Sequence, residues 1–399
     1  MGFAEGHMEP TSEMLLLNPG PVPLAPNVLD AMAEPMVSHR STAFENTFSR
    51  AQSELRYVFE QSSTTGEQTA SGGTPVIMMG TATLAMEAAV ASLVTPESEV
   101  VAVVNGKFGQ RFVNIAERYA HVTPVSAPWG ESIDLAAVSD AVSESTDLIT
   151  VVHNETSTGI LNPVEAIGEI AASNDARFIV DGVTSIGGDA FHLDAWGVDI
   201  AITDAQKALA APPGISAIYL AEGVDEAIES EGPPFYGDLE RYVAKASDHQ
   251  TPFTSAVPLV RAMAEALDII RTEGMAARIA RHRRQSRAFR EAFDAMGLQR
   301  FPTINSSSNL SNTVTAIDLP PEAAADPQSF FDAVLAEGVS ISGGQAHLGG
   351  SIFRVSNMGN LDASDIDRGI RGIATGLEAV GRSVDRPAAR EAARQVLAG

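Results

Sequence analysis

The chain reads as an α/β protein built on a largely parallel sheet covered by helices on both faces, with a smaller C-terminal α+β portion. Three observations predict this. Between about residues 75 and 220, short apolar runs alternate with helical patterns, the rhythm of parallel strands and their crossovers. Several of these runs close on a glycine turn, as at Asn105-Gly106 and Asp181-Gly182, where an open sheet presents its ligand edge. A length of 399 residues exceeds one core and suits about two domains.

Taken in order, Leu15 to Leu17 reads as an N-terminal strand crossing the site, and residues 27–60 read as helical. Gln61 to Gly73 is polar and glycine-dotted, expected as an exposed loop. Thr74 to Met79 forms a strand; Gly80, Thr81, Ala82 and Thr83 follow, then a helix over 82–94 that is apolar nearly all round and hence buried. Its positive end would face an anion at the sheet edge, although Gly-Thr at a helix start is also an ordinary N-cap. Val100 to Val104 is a further strand, closed by a glycine turn that exposes Phe108. A long alanine-rich helix from about 257 to 298 leads into the C-terminal portion. Its basic cluster, Arg278 to Arg287, reads as a solvated face pairing with nearby acids.

Only three lysines stand against 23 arginines, and Lys207 lies at the mouth of the core strand that begins at Asp199. An amine there can condense with an aldehyde, and the best-known aldehyde partner is pyridoxal phosphate, PLP. Such a site also needs a carboxylate for the pyridine nitrogen, a ring to stack and a helix N-terminus for the phosphate. Asp181, closing Phe178-Ile179-Val180, can meet Lys207 over one ligand, and Phe108 can stack on it. Each residue also has a plainer reading: Lys207 as a solvated strand end, Asp181 as a turn acid, Phe108 as a core anchor. No Gly-x-Gly-x-x-Gly is present, so a dinucleotide is not favoured.

Together these segments resemble the class V aminotransferases of PLP fold type I, most closely the alanine–glyoxylate and serine–pyruvate group. The likeness runs from Asn18-Pro19-Gly20 to Phe353-Arg354 and Gly359, and is carried most specifically by residues 154–163, 181–185 and 206–214. It implies a large PLP-binding domain over 18–256, then a linking helix and small domain over 257–399, with residues 1–17 associated. It implies that Lys207 bonds to the cofactor and later shuttles a proton, that Asp181 pairs with the pyridine nitrogen, and that Val183 packs under the ring. Gly80, Thr81, Ala82 and Thr83 match the stretch around the phosphate, and Gln206 adds a contact to it. Phe108 matches the stacking aromatic and Thr156 the hydroxyl beside the ring oxygen. Thr251 and Thr254 match residues that reach a neighbouring subunit's phosphate, so the expected unit is a homodimer. Arg354 matches the arginine that holds the substrate α-carboxylate, with backbone near Pro19 and Gly20 closing the other side; its planar fork suits that task.

The implied reaction moves an amino group from alanine or serine to glyoxylate or pyruvate. Aspartate as donor, or a lyase of the same fold, is the alternative. Two departures bear on side-chain specificity without touching the core chemistry: Asn357 stands where many relatives carry histidine, and Asp204-Ala205 replaces a small, often serine-bearing pair. His39-Arg40 resembles a motif near the site mouth, read either as a substrate or subunit contact or as structural pairing.

Composition excludes other classes. A formal charge of −25 disfavours nucleic acid and anionic membranes, and with the scarcity of lysine it points to a salt-loving host. Neither an apolar run of about 18 residues nor a charged leader is evident, so the expectation is a cytoplasmic protein without a membrane span. With no cysteine there is no disulfide and no thiolate metal site, nor the persulfide chemistry of a cysteine desulfurase, which shares this fold. A non-catalytic α/β binding protein would keep the fold without needing Lys207, Asp181 and Arg354 together.

Overall fold

The β-branched runs found in the sequence assemble into one sheet. In a computed structural model describing residues 14–228 and 234–399, seven strands lie in the order Thr74–Met78, Ser216–Leu220, Ile200–Asp204, Arg177–Asp181, Leu148–Val152, Glu99–Val104 and His121–Ser126. The last five pair in parallel. Ser216–Leu220 runs antiparallel to both its neighbours, so the two reversals cancel and Thr74–Met78 points with the other five. Six carboxyl ends therefore share one edge, the place where open α/β sheets bind ligands.

The central strands read as continuous apolar runs because both of their faces are buried. Within Leu148–Val152, Ile149 and Val151 pack into one apolar core while Leu148 and Val152 pack into the other. Helix Ala82–Leu93 lies in the second of these layers, with Ala85, Met86, Ala88, Ala89 and Val90 fully buried.

A third core sits toward the C-terminus. Val314–Asp318 and Ser342–Gly343 flank Ile352–Ser356, both antiparallel to it, and Leu15–Leu16 pairs in parallel with Val339–Ser340. Phe289, Phe293, Phe330 and Phe353 fill the space behind them, with Phe293 edge-on to Phe353 at 5.8 Å. Helix Met275–Ala295 joins the two regions: Met275 and Ile279 belong to the large core, Ala288, Phe289, Ala292 and Phe293 to the C-terminal one.

Four sequence expectations are corrected. Residues 27–60 are two helices, Pro26–Ala33 and Thr42–Glu60. Glu34 is extended (ψ 149°), as a residue preceding proline prefers, and Ser41 restarts the helix by accepting from the Phe44 N–H at 3.4 Å. The 257–298 helix is likewise two, Val257–Glu273 and Met275–Ala295, because Gly274 takes φ +82°, which only glycine adopts freely. The 61–73 loop is only partly exposed: Ser62, Ser63, Thr69 and Ala70 are buried, and the Phe191 N–H donates to Ser62 O at 2.7 Å. The basic cluster is not wholly solvated either, since Arg278 is completely buried. Its guanidinium is satisfied by Glu273 (2.8 Å), Asn360 (3.0 Å), Gly187 O (2.8 Å) and Ala208 O (2.7 Å), as a buried charge requires.

Candidate active site

Strand Ile200–Asp204 runs out into a turn that returns as Ser216–Leu220, with Asp204 opposite Ser216, so the loop carrying Lys207 is fastened to the sheet at both ends. The Lys207 amine turns back to donate to Pro19 O. Gly20 lies so close that an added Cβ would stand 2.6 Å from Lys207 Cδ, and its φ is +93°, a backbone angle that a larger residue would take only with strain; the Asn18-Pro19-Gly20 segment thus forms a wall beside the lysine. Burial pushes the Lys207 amine down to about 8; the Asp204 carboxylate opposes this and the Arg354 guanidinium adds to it.

Asp181 ends the neighbouring strand and is 4% exposed. Burial lifts its carboxyl to about 7; the Val183 N–H, which donates to Oδ1 at 2.8 Å, pulls it back, while the nearby Glu155 raises it further. Between Asp181 and Lys207 opens a cavity of about 230 Å³, lined by Thr81, Ala82, Thr83, Met86, Phe108, Arg111, Thr156, Asp181, Val183, Asp204, Gln206 and Lys207. Thr81 starts helix Ala82–Leu93 without capping it through its side chain; the Leu84 N–H donates to Thr81 O at 2.8 Å and the Ala82 N–H faces the Asp204 carboxylate, at a helix end whose charge suits an anion.

Arg354 projects from strand Ile352–Ser356 and is 3% exposed. It donates through Nε and Nη2 to Gly343 O (3.1 and 2.8 Å) and through Nη1 to Thr156 O (3.0 Å). No carboxylate pairs with it among the described residues, which leaves one N–H on each terminal nitrogen without a protein partner. Burial lowers it to about 10 and Glu155 partly restores it, so it remains a cation.

A family model for class-V aminotransferases matches residues 14–368. The chain belongs to the class-V aminotransferase family. An uncharacterized aminotransferase of Methanocaldococcus jannaschii is 35% identical over 391 residues, covering 96% of this chain and 97% of that one. Among solved structures, alanine–glyoxylate aminotransferase from Nostoc sp. superposes with a TM-score of 0.82 at 32% identity, over 94% of this chain and 98% of that one. Pyridoxamine–pyruvate aminotransferase from Mesorhizobium loti gives 0.89 at 27%, over 99% and 98%. The fold is PLP-dependent fold type I and the cofactor of this class-V aminotransferase is pyridoxal phosphate.

The residues present fit that group. Asp181 and Lys207 meet across one cavity, the start of helix Ala82–Leu93, without a side-chain cap, faces the same cavity, and Gly20 keeps the lysine's side clear. Of the cofactor residues expected from the sequence, Thr81, Ala82, Thr83, Phe108, Thr156, Asp181, Val183, Gln206 and Lys207 line one cavity. Gly80, Gly20 and Arg354 stand outside that lining, Gly80 just before the helix and Gly20 against Lys207.

Thr251 and Thr254 lie apart from the chain's own cavity. Thr251 is buried, its hydroxyl bonded to Phe253 O (2.9 Å) and to Ser255, while Thr254 is exposed. Arg40 binds Gln250, Thr251 O and Pro252 O, which joins its segment to the loop holding both threonines. Asn357 is fully buried and donates to His282 O and Asn312 O, each at 3.0 Å; it ties helix Met275–Ala295 to the 312 turn and does not line the cavity. Asp204, by contrast, does line it.

Sequence reasoning missed Glu155 and Arg111. Glu155 is wholly buried. Its Oε2 accepts from the Phe108 and Gly109 N–H groups (3.0 Å each) and its Oε1 from Ser157. It therefore fastens the start of helix Lys107–Ala116, and with it Phe108, to the Thr156 loop. Arg111 lies 4.7 Å from the centroid of the Phe108 ring and donates to Thr83 Oγ1 at 2.9 Å. Its signal was the three-residue spacing from Phe108, which shares a helix face; Glu155 offered only an acid inside an otherwise uncharged motif. A larger groove of about 800 Å³ between helices Ala363–Ala379 and Arg386–Ala398 holds arginines already paired, Arg390 with Asp367 and Arg386 with Glu378.

Proposed function

We propose that this class-V aminotransferase moves an amino group from alanine or serine to glyoxylate or pyruvate and works as a homodimer. The observation that carries the reading is the shared cavity of Lys207 and Asp181, with the neighbouring Arg354 fork lacking any carboxylate partner among the described residues. When bound, pyridoxal phosphate supplies an aldehyde that takes up amines and a ring that accepts electrons. Lys207 offers an amine that burial keeps partly neutral near neutral pH, able to hold and return a proton at Nζ. Asp181 keeps the proton of the pyridine nitrogen in place. The hydroxyls of Thr81 and Thr83 and the first turn of helix Ala82–Leu93 receive the phosphate, Phe108 covers the ring, and Val183 supports its other face. Arg354 fixes the substrate carboxylate through its two free N–H groups.

Small acceptors are favoured by the relatives: the Nostoc protein is named for alanine and glyoxylate, the Mesorhizobium one for pyridoxamine and pyruvate. The test is a panel of amino donors against glyoxylate, pyruvate and 2-oxoglutarate. Alanine or serine with glyoxylate or pyruvate should give the highest kcat/KM. Aspartate or 2-oxoglutarate leading the panel would replace this substrate assignment, and consumption of an amino acid without a new one appearing would replace transamination by lyase chemistry.

A further inference from the structure

The end of strand Ile200–Asp204 places a carboxyl where an anion belongs. Asp204 is 4% exposed and lines the cavity beside Thr81 and Ala82. Its Oδ2 accepts from Gln206 Nε2 at 2.6 Å, so one N–H of the Gln206 amide is taken by Asp204 while its Oε1 acceptor is left unpartnered. Asp204 Oδ1 closes no hydrogen bond, yet the Ala82 N–H at the helix start is near enough to favour its charged form. One carboxylate thus faces two donors that suit a phosphate, the glutamine amide and the helix N-terminus.

We propose that Asp204 is an internal rival of the cofactor's phosphate, so that tight binding requires a proton on Asp204 or its displacement from Gln206 and Ala82. The inference rests on the reading of this cavity as the pyridoxal phosphate site. Two acceptor groups in contact repel, whereas a protonated carboxyl donates to a phosphate oxygen. The charged groups facing Asp204 are Lys207 on the same turn, Asp181 on the adjacent strand and Arg111 across the cavity; Glu155 and Arg354 act on those in turn. Burial lifts the Asp204 carboxyl to about 6. The rivalry is therefore relieved below that pH and grows above it.

Because Asp181 and Lys207 titrate nearby, the decisive quantity is a ratio. Dissociation constants of pyridoxal phosphate are measured by absorbance for wild type, Asp204→Asn and Asp204→Gly, with pyridoxal, which lacks the phosphate, as control. The wild-type to Asp204→Asn ratio should be near one at about pH 5 and rise to roughly tenfold at about pH 7.5, and with pyridoxal it should stay near one throughout. Asp204→Gly should behave as Asp204→Asn does, which covers the case of a single variant that folds poorly. A ratio that does not change with pH, or tighter binding by wild type, overturns the inference and leaves the cofactor reading standing. No cofactor absorbance in any of the three proteins overturns both.

Discussion

Asp181 carries a carboxyl that the folded chain makes hard to ionise, and this has a measurable sign. Its folded pKa, about 7, is raised from 3.8 chiefly by burial. The stability it contributes is full below the unfolded value and is lost as pH rises through about 7. Cofactor-free Asp181→Asn should therefore match cofactor-free wild type near about pH 4 and exceed it above about pH 7, read as a difference in denaturation midpoint. With cofactor the order reverses in kinetics: the variant should bind pyridoxal phosphate yet turn over orders of magnitude more slowly, because the ring nitrogen loses its partner. For Arg354, removing a charge-assisted fork should cost about 2–5 kcal/mol in kcat/KM for donors and acceptors alike in Arg354→Ala, with partial recovery in Arg354→Lys. Steady-state kinetics of both half-reactions checks this; a loss confined to one substrate would show that Arg354 reads a side chain. Borohydride reduction and peptide mapping should place the pyridoxyl label on Lys207 and on neither Lys107 nor Lys245.

At the scale of elements, the site depends on how tightly its segments are pinned. In Gly20→Ala the new methyl would collide with the Lys207 side chain at 2.6 Å, and the backbone would resist at φ +93°, a conformation costing roughly 1–2 kcal/mol for other residues. That variant should keep its helical circular dichroism and lose cofactor loading. Glu155→Gln should destabilise by about 1–3 kcal/mol, since an amide cannot accept at both ends of a group surrounded by donors; urea denaturation measures it. Sequence reading located Lys207, Asp181 and the Thr81 helix start because each sits where a β-branched run stops, a local pattern that needs no knowledge of tertiary packing. It missed Glu155, whose partners lie 46 and 47 residues away and leave no periodic trace. It also read through Gly274 and Pro35: helical periodicity carried on across both positions, and only the backbone angles revealed the breaks.

For the molecule as a whole, charge and assembly set the expectations. The proposed homodimer would set Thr251 and Thr254 at a neighbouring subunit's site, so activity should follow the dimer in sedimentation experiments run across protein concentration. A fully active monomer would refute the homodimer. A net charge of −25 repels itself over longer distances as salt is withdrawn, so lowering salt from about molar to about millimolar should reduce both the melting temperature and the dimer fraction. Activity indifferent to that change would remove the salt-loving reading and leave the chemistry intact.

The bonds that hold the site together also join distant parts of the chain: Lys207 reaches Pro19 across 188 positions and Arg354 reaches Thr156 across 198. Closing loops of that length is entropically unfavourable until the intervening structure has formed, and chains rich in such contacts acquire them late. Strands and helices can therefore appear while the lysine still faces water. In stopped-flow refolding, far-ultraviolet ellipticity should recover first, and the capacity to take up pyridoxal phosphate should return in a slower phase. The cofactor would then recognise only chains whose two ends have already met.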